Sequence, residues 1–351
     1  MNNLIEQAAI WLRSKECLEG TIFSRTRLLL NNFRSYIKSN QAELEVVTGE
    51  RYSVLADHVN QCWMMVESLL TSYLRGNHSS AYDKIYGFIA DMSMSPLDKG
   101  TRFYKGREPE SHFLFSKDKM FHIPFDKRSK VGNQRFSISG TPCLYLGGSS
   151  YICWEELNRV DFSSCNFCGY LNKVTISLFD LALPPSIRSL EDIRRVSLIL
   201  ACSLKADRNA LFKEEYILPQ SILLALIKRT LYSHKLFGVR YISSHFLDGD
   251  ADFFQCDYNE PIWISRYYNY VFPAAASLHN GYNESLRDLF IQTETTAMER
   301  ESLLKPERLV SGDSNEAYLD SQFGLMDAII DERLGVRSLR RETALVKRST
   351  V

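Results

Sequence analysis
The sequence lacks an excess of charge of either sign: 42 lysines and arginines stand against 42 aspartates and glutamates in 351 residues. No whole-protein field therefore draws the chain to nucleic acid or to an anionic membrane, and any anion-binding site has to be local. The ~18 consecutive apolar residues that a membrane span requires are missing as well. The opening, MNNLIEQAAIWLRSKE, has no basic segment followed by an unbroken apolar stretch. Internal repeats and low-complexity tracts are absent, while 45% of the residues are hydrophobic, which excludes disordered, collagen-like and coiled-coil chains. A folded cytoplasmic protein that engages neither nucleic acid nor membrane is the expectation.

Eight cysteines are scattered along the chain, some within apolar runs, such as Cys143 in PCLYL and Cys202 in LILACSL. Free thiols there behave as small hydrophobes, so a reducing compartment is expected. Cys165 and Cys168 form a lone CxxC, and a zinc site needs four ligands. His112, His122, His234 and His245 fall into no metal spacing either, and His122 reads as a core or surface histidine. No metal is expected.

Three segments differ in texture. Residues 1–96 carry apolar residues at helical spacing, as in Leu29, Leu30, Phe33 and Ile37, with glycines at 20, 49, 76 and 87 where helices could end. Residues 97–297 alternate short apolar runs with turns and a few helices. Strands are expected at 143–148, 173–180 and 238–243, and helices after Ser189, with Asp192 completing a capping box, and over 216–229. The aromatic run Tyr267 to Phe272 reads as sheet and core packing. Residues 298–351 are charged and helical, and from Asp331 onward six basic residues face three acidic ones, a solvated face rather than a nucleic-acid arm. The fold class is α+β, a mixed sheet with helical extensions at both ends.

Chemistry-bearing residues are densest between Arg135 and Glu156. Gly140, Thr141 and Pro142 make a turn that lays Arg135 beside the following strand. Gly147-Gly148-Ser149-Ser150 leads from that strand into a helix, and the small residues and N–H groups there favour an approaching anion. Glu155 and Glu156 are about 100° apart on a helix, so one of them faces the cleft and the other solvent. Ser243 and Ser244 alternate in the same way on a strand.

Arg135, Gly140, Pro142, Leu144, Tyr145, Ser149 and Glu156 stand in a register that resembles the RES domain, a bacterial family of NAD-degrading toxins. Phe103-Tyr-Lys-Gly-Arg107 is similar to that family's opening strand, with Lys105 in the first arginine's place. Phe136-Ser137 stands where Trp-Asn is commoner. Tyr216-Ile-Leu-Pro-Gln220 and Gly238-Val-Arg-Tyr-Ile-Ser243 resemble its later helix start and strand, in collinear order over 97–297.

The resemblance implies a fold related to ADP-ribosyltransferases and cleavage of the nicotinamide glycosidic bond of NAD+, with phosphate or water as acceptor and no cofactor beyond NAD+ itself. It assigns Glu156 to stabilising the oxocarbenium-like ribose, a chemistry that Asp and Glu serve in glycosidases. Arg135 would hold the pyrophosphate through a bidentate fork, with Lys105 and Arg107 beside it. Tyr145 would stack on nicotinamide, and Ser243 would orient nicotinamide or Glu156. An antitoxin protein is the implied partner. Two rival functions use the same residues: an idle NAD- or nucleotide-sensing module, and transfer of ADP-ribose to a macromolecule. The N-terminal helices, with Trp63, Met64 and Met65 in succession, are compatible with a homo-oligomer face.

Overall fold
A computed structural model describes residues 4–110, 113–207, 209–231, 236–243, 264–274, 280–300 and 318–336. Six helices open the chain: α1 (Leu4–Arg13), α2 (Lys15–Leu18), α3 (Ile22–Ser39), α4 (Gln41–Thr48), α5 (Tyr52–Leu74) and α6 (His78–Ile89). Then come β1 (Ser95–Leu97), β2 (Arg102–Arg107), β3 (Cys143–Gly147), α7 (Ser150–Glu156), β4 (Asn166–Asn172) and β5 (Ile176–Leu181). The chain continues through α8 (Leu190–Cys202), α9 (Ile217–Leu231), β6 (Phe237–Ile242), β7 (Tyr268–Pro273), α10 (Glu284–Asp288), β8 (Phe290–Gln292) and α11 (Gln322–Arg333). Ser111, His112, Arg208, His234, Ser244, His245 and Cys256, and the tail from residue 337, lie outside the described residues.

The eight strands form one mixed sheet in the order β1-β5-β6-β7-β3-β2-β4-β8. Among the described strands only β5 and β6 pair in parallel, and α8 and α9 make the crossover that a parallel pair needs. Strand alternation divides the sheet's side chains between two apolar clusters. Tyr104, Phe167, Phe179, Val239 and Val271 join the helices on one face. Phe103, Leu144, Leu146, Cys168, Tyr170 and Phe272 meet Phe115, Met120, Phe121, Phe125 and Leu286 on the other. Cys165 and Cys168 thus enter different clusters.

The N-terminal helices have no separate core. Leu29, Phe33 and Ile37 of α3 and Leu55, Cys62 and Leu69 of α5 are buried in the same cluster as α8 and α9. Met64 stays exposed. Ser189 caps α8, its hydroxyl accepting from the Asp192 N–H at 3.2 Å, while Asp192 Oδ2 accepts from the Arg188 N–H at 2.8 Å, one residue before the position a full capping box uses. Gly49 ends α4 in the left-handed region, whereas Gly87 lies inside α6 and ends nothing. The strand expected from Lys173 starts only at Ile176, because the Lys173 N–H turns to Leu289 O and Val174 projects into solvent. β1 is an edge strand that sequence pattern did not reveal, and the edge is where Pro96 is tolerated. Among the described residues no helix is long and apolar enough to cross a membrane.

Candidate active site
β3 turns into α7 through Gly147 and Gly148, which carries Glu156 to the helix end, over the helix-covered face of the sheet. Glu156 is exposed, and its Oε1 accepts two hydrogen bonds: from Ser243 Oγ at 2.7 Å and from Asn269 Nδ2 at 2.6 Å. Ser243 follows the end of β6, and Asn269 lies on β7 opposite both Tyr241 and Gly147. Three adjacent strands therefore converge beneath one carboxylate. Asn269 escaped the sequence reading because it sits within an aromatic run read as packing. The detectable signal was its polarity at a position where alternation demands an inward side chain.

Glu155 contradicts the expectation of a solvent-facing neighbour, being only 1% exposed. Asn158 and Arg159 both adopt left-handed backbone (φ 59° and 58°), which doubles the chain back at the end of α7. Arg159 Nε thereby reaches Glu155 Oε2 at 2.9 Å and covers it. The two adjacent glutamates do diverge, one into an internal ion pair and one to Ser243 and Asn269.

Arg135 lies on the same face. Its Nη1 donates to Cys202 O and its Nη2 to Leu204 O at 3.0 Å, and its guanidinium rests over the Tyr216 ring at 5.6 Å. The turn that carries it is tied to α9 by Gln220, whose Nε2 donates to Asn133 Oδ1, to Gln134 O and to Ser137 O. The Gln of the Tyr216–Gln220 segment thus has a structural task. Tyr145 is half-buried, and its hydroxyl donates to Phe136 O at 3.1 Å, bracing the same turn. Tyr241 senses both ends of the site. Burial raises its pKa most, Glu156 raises it further, and Arg135 opposes the rise.

Lys105 and Arg107 do not join this cluster. Along β2 they alternate with Tyr104 and Gly106, and a side chain at Gly106 would strike Cys153 and Leu157 of the α7 region at 3.2 and 3.3 Å. Lys105 and Arg107 therefore point to the opposite face. There Arg107 donates to Lys119 O and pairs with Glu110 at 3.0 Å. Lys105 lies opposite Cys168, and burial pulls its pKa down to about 8. Its Nζ donates to the backbone carbonyl of Tyr145 at 3.4 Å. Of the predicted cations, Arg135 alone shares the Glu156 face.

The start of α7 is not open to a ligand anion, as its small residues suggested. Ser149 caps the helix and is itself buried, donating to Arg266 O at 2.8 Å. The Ser150 N–H donates to Asp327 Oδ1 of α11 at 2.9 Å, so the protein supplies its own carboxylate to the helix terminus. A Cβ on Gly148 would lie 1.9 Å from Ser265 O, so the glycine serves backbone packing. Asp327 also accepts from Tyr318 at 2.7 Å, and Asp331 from Tyr104 and Arg102 at 2.8 and 2.7 Å. These groups line a cavity of about 280 Å³ between β2 and α11. His122 belongs to the opposite core: its Nε2 accepts from the Asn283 N–H at 2.9 Å, and burial pulls its pKa down to about 4.

Compared with known proteins, 163 residues of this chain are 37% identical to "Putative toxin YopC" of Bacillus subtilis (strain 168), over 41% of this chain and 36% of that protein. The chain thus spans little more than a third of that relative's length. No family profile matches the chain. No solved structure matches it.

Proposed function
We propose that the protein is an NAD+-degrading enzyme of the RES type, on a fold related to ADP-ribosyltransferases, acting as a toxin that an antitoxin protein restrains. The observation that carries this reading is the Glu156 carboxylate held through one oxygen by Ser243 and Asn269, with Arg135 and Tyr145 on the same sheet face. The likeness to a protein described as a toxin supports the biological role.

With Oε1 taken by two donors, Oε2 is the oxygen left to accept from the ribose hydroxyls of bound NAD+. As the C1′–N bond breaks, nicotinamide leaves with the bonding pair and the ribose acquires oxocarbenium character. A negative group fixed at that point stabilises the transition state more than the ground state. Phosphate or water then attacks C1′ and loses its proton, giving ADP-ribose 1-phosphate or ADP-ribose. Arg135, held by carbonyls through Nη1 and Nη2, keeps its remaining N–H donors for the pyrophosphate.

The test is nicotinamide release from NAD+ by purified protein, with and without phosphate. Glu156→Gln is expected to abolish release while Glu155→Gln retains it if the fold survives, as checked by circular dichroism. NAD+ left intact by the wild type under all these conditions would overturn the enzymatic reading.

A further inference from the structure
We propose that Arg25, in the N-terminal helical layer, is a positioning residue for Arg135: both arginines grip the connection between α8 and α9, and Arg25 fixes the carbonyl platform that holds the Arg135 guanidinium. The kinetic consequence rests on the NAD+ reading above, but the mechanical link does not.

Arg25 lies in the first turn of α3 and is 7% exposed. Its Nε donates to Cys17 O at 2.7 Å, its Nη1 to Glu215 Oε1 at 2.6 Å and its Nη2 to Lys205 O at 2.5 Å. Glu215 and Lys205 lie 190 and 180 residues away in sequence, at the two ends of the α8–α9 connection. Arg135 grips those same ends. It holds the carbonyls of Cys202 and Leu204 at the first and the Tyr216 ring at the second. Leu204 and Lys205 are consecutive carbonyls, one for each arginine, and Glu215 and Tyr216 are consecutive side chains, again one for each.

Apart from a single 3-10 turn at Glu214–Tyr216, the described part of this connection has no helix or strand to set its path. The arginine contacts set it at both ends, together with Leu204 buried in the core and Phe212 stacked on Tyr73. A guanidinium can serve three acceptors in fixed directions, whereas an ammonium is a point charge on a flexible stem. Burial adds a constraint, because Glu215, 12% exposed, is left with an uncompensated charge if Arg25 is removed alone. If Arg25 lets the connection shift, the carbonyls under Arg135 move with it. The remaining N–H donors of Arg135 are then misdirected toward an anionic substrate, while Glu156, on α7, stays in place. Substrate binding suffers and the chemical step does not.

The experiment compares wild type, Arg25→Lys and the charge-neutral double variant Arg25→Met/Glu215→Leu, which leaves no orphaned charge to unfold the protein. Each is also placed in an Arg135→Ala background. Hydrogen–deuterium exchange over 203–216 is expected to quicken about tenfold in both Arg25 variants, with β3 and α7 unchanged. KM for NAD+ is expected to rise about tenfold with kcat within twofold, and not to rise further when Arg135 is already alanine. A further rise in that background, or unchanged exchange over 203–216, overturns the proposal. If the wild type leaves NAD+ intact, the functional reading fails by itself. The exchange comparison then still decides the link, since Arg135→Ala must loosen the same segment.

Discussion

The two donors on Glu156 Oε1 make a quantitative prediction. Ser243→Ala and Asn269→Leu each delete one hydrogen bond, of 2.7 and 2.6 Å respectively, to the same carboxylate oxygen. A bond to a charged group contributes about 1.5–3 kcal/mol in dry surroundings, and the exposure of Glu156 places these at or just below the lower end, about 1.4 kcal/mol. Each single variant should therefore lose about tenfold in kcat/KM for nicotinamide release. Both donors restrain one oxygen, so the first deletion already lets the carboxylate turn. The double variant should fall about 30-fold rather than the 100-fold of two independent effects. The assay is steady-state nicotinamide release at neutral pH, with thermal melting of each variant to confirm folding. Single variants within twofold of wild type would refute the claim that these donors orient Glu156. A full hundredfold loss in the double variant would refute the claim that they act on it as one unit.

Two further predictions concern the frame around the site. His122 is neutral in the folded protein with a pKa near 4, so its contribution is complete above the ordinary histidine value of about 6.5 and is lost as pH falls toward 4, by about 3 kcal/mol. Asp331, pushed up to about 6 by burial, works in the opposite sense over the same range. The quantity to measure is therefore the urea-unfolding difference between wild type and His122→Asn, which should shrink by that amount between pH 7 and 4; a constant difference would disprove it. Asp327→Ala strips the Ser150 N–H and the Tyr318 hydroxyl of their acceptor and should cost about 1–3 kcal/mol in stability, read by chemical denaturation. Wild-type stability in that variant would mean the α11 carboxylate does not anchor α7.

What was legible in the sequence is what depends on near neighbours. The helix after Ser189, β3, β6 and the helix from Ile217 follow from caps and apolar periodicity, which act over a few residues. The spacing of Arg135, Tyr145 and Glu156 likewise survives folding as one face of β3 and the end of α7. The divergence of Glu155 and Glu156 could be foreseen from the helical turn. That Glu155 is the buried one could not, because two left-handed residues and Arg159 decide it.

The rest required partners distant in the chain. Asn269 meets Glu156 across 113 residues, and Arg25 reaches Glu215 across 190, through strand order and helix packing that no local pattern encodes. Asp327 fills the helix terminus that small residues alone would leave open to an anion. Lys105 and Arg107 carry the charge a phosphate site wants, but the pleat of β2 and its register with β4 turn them to the other face. The sequence by itself determined where the N-terminal helices, α8, α9, β3 and β6 lie and which residues carry charge and nucleophilic or acidic groups, since these are properties of short stretches of chain. Which of those groups meet was decided only by tertiary structure, because a side chain's neighbours depend on the face and register in which distant elements are packed.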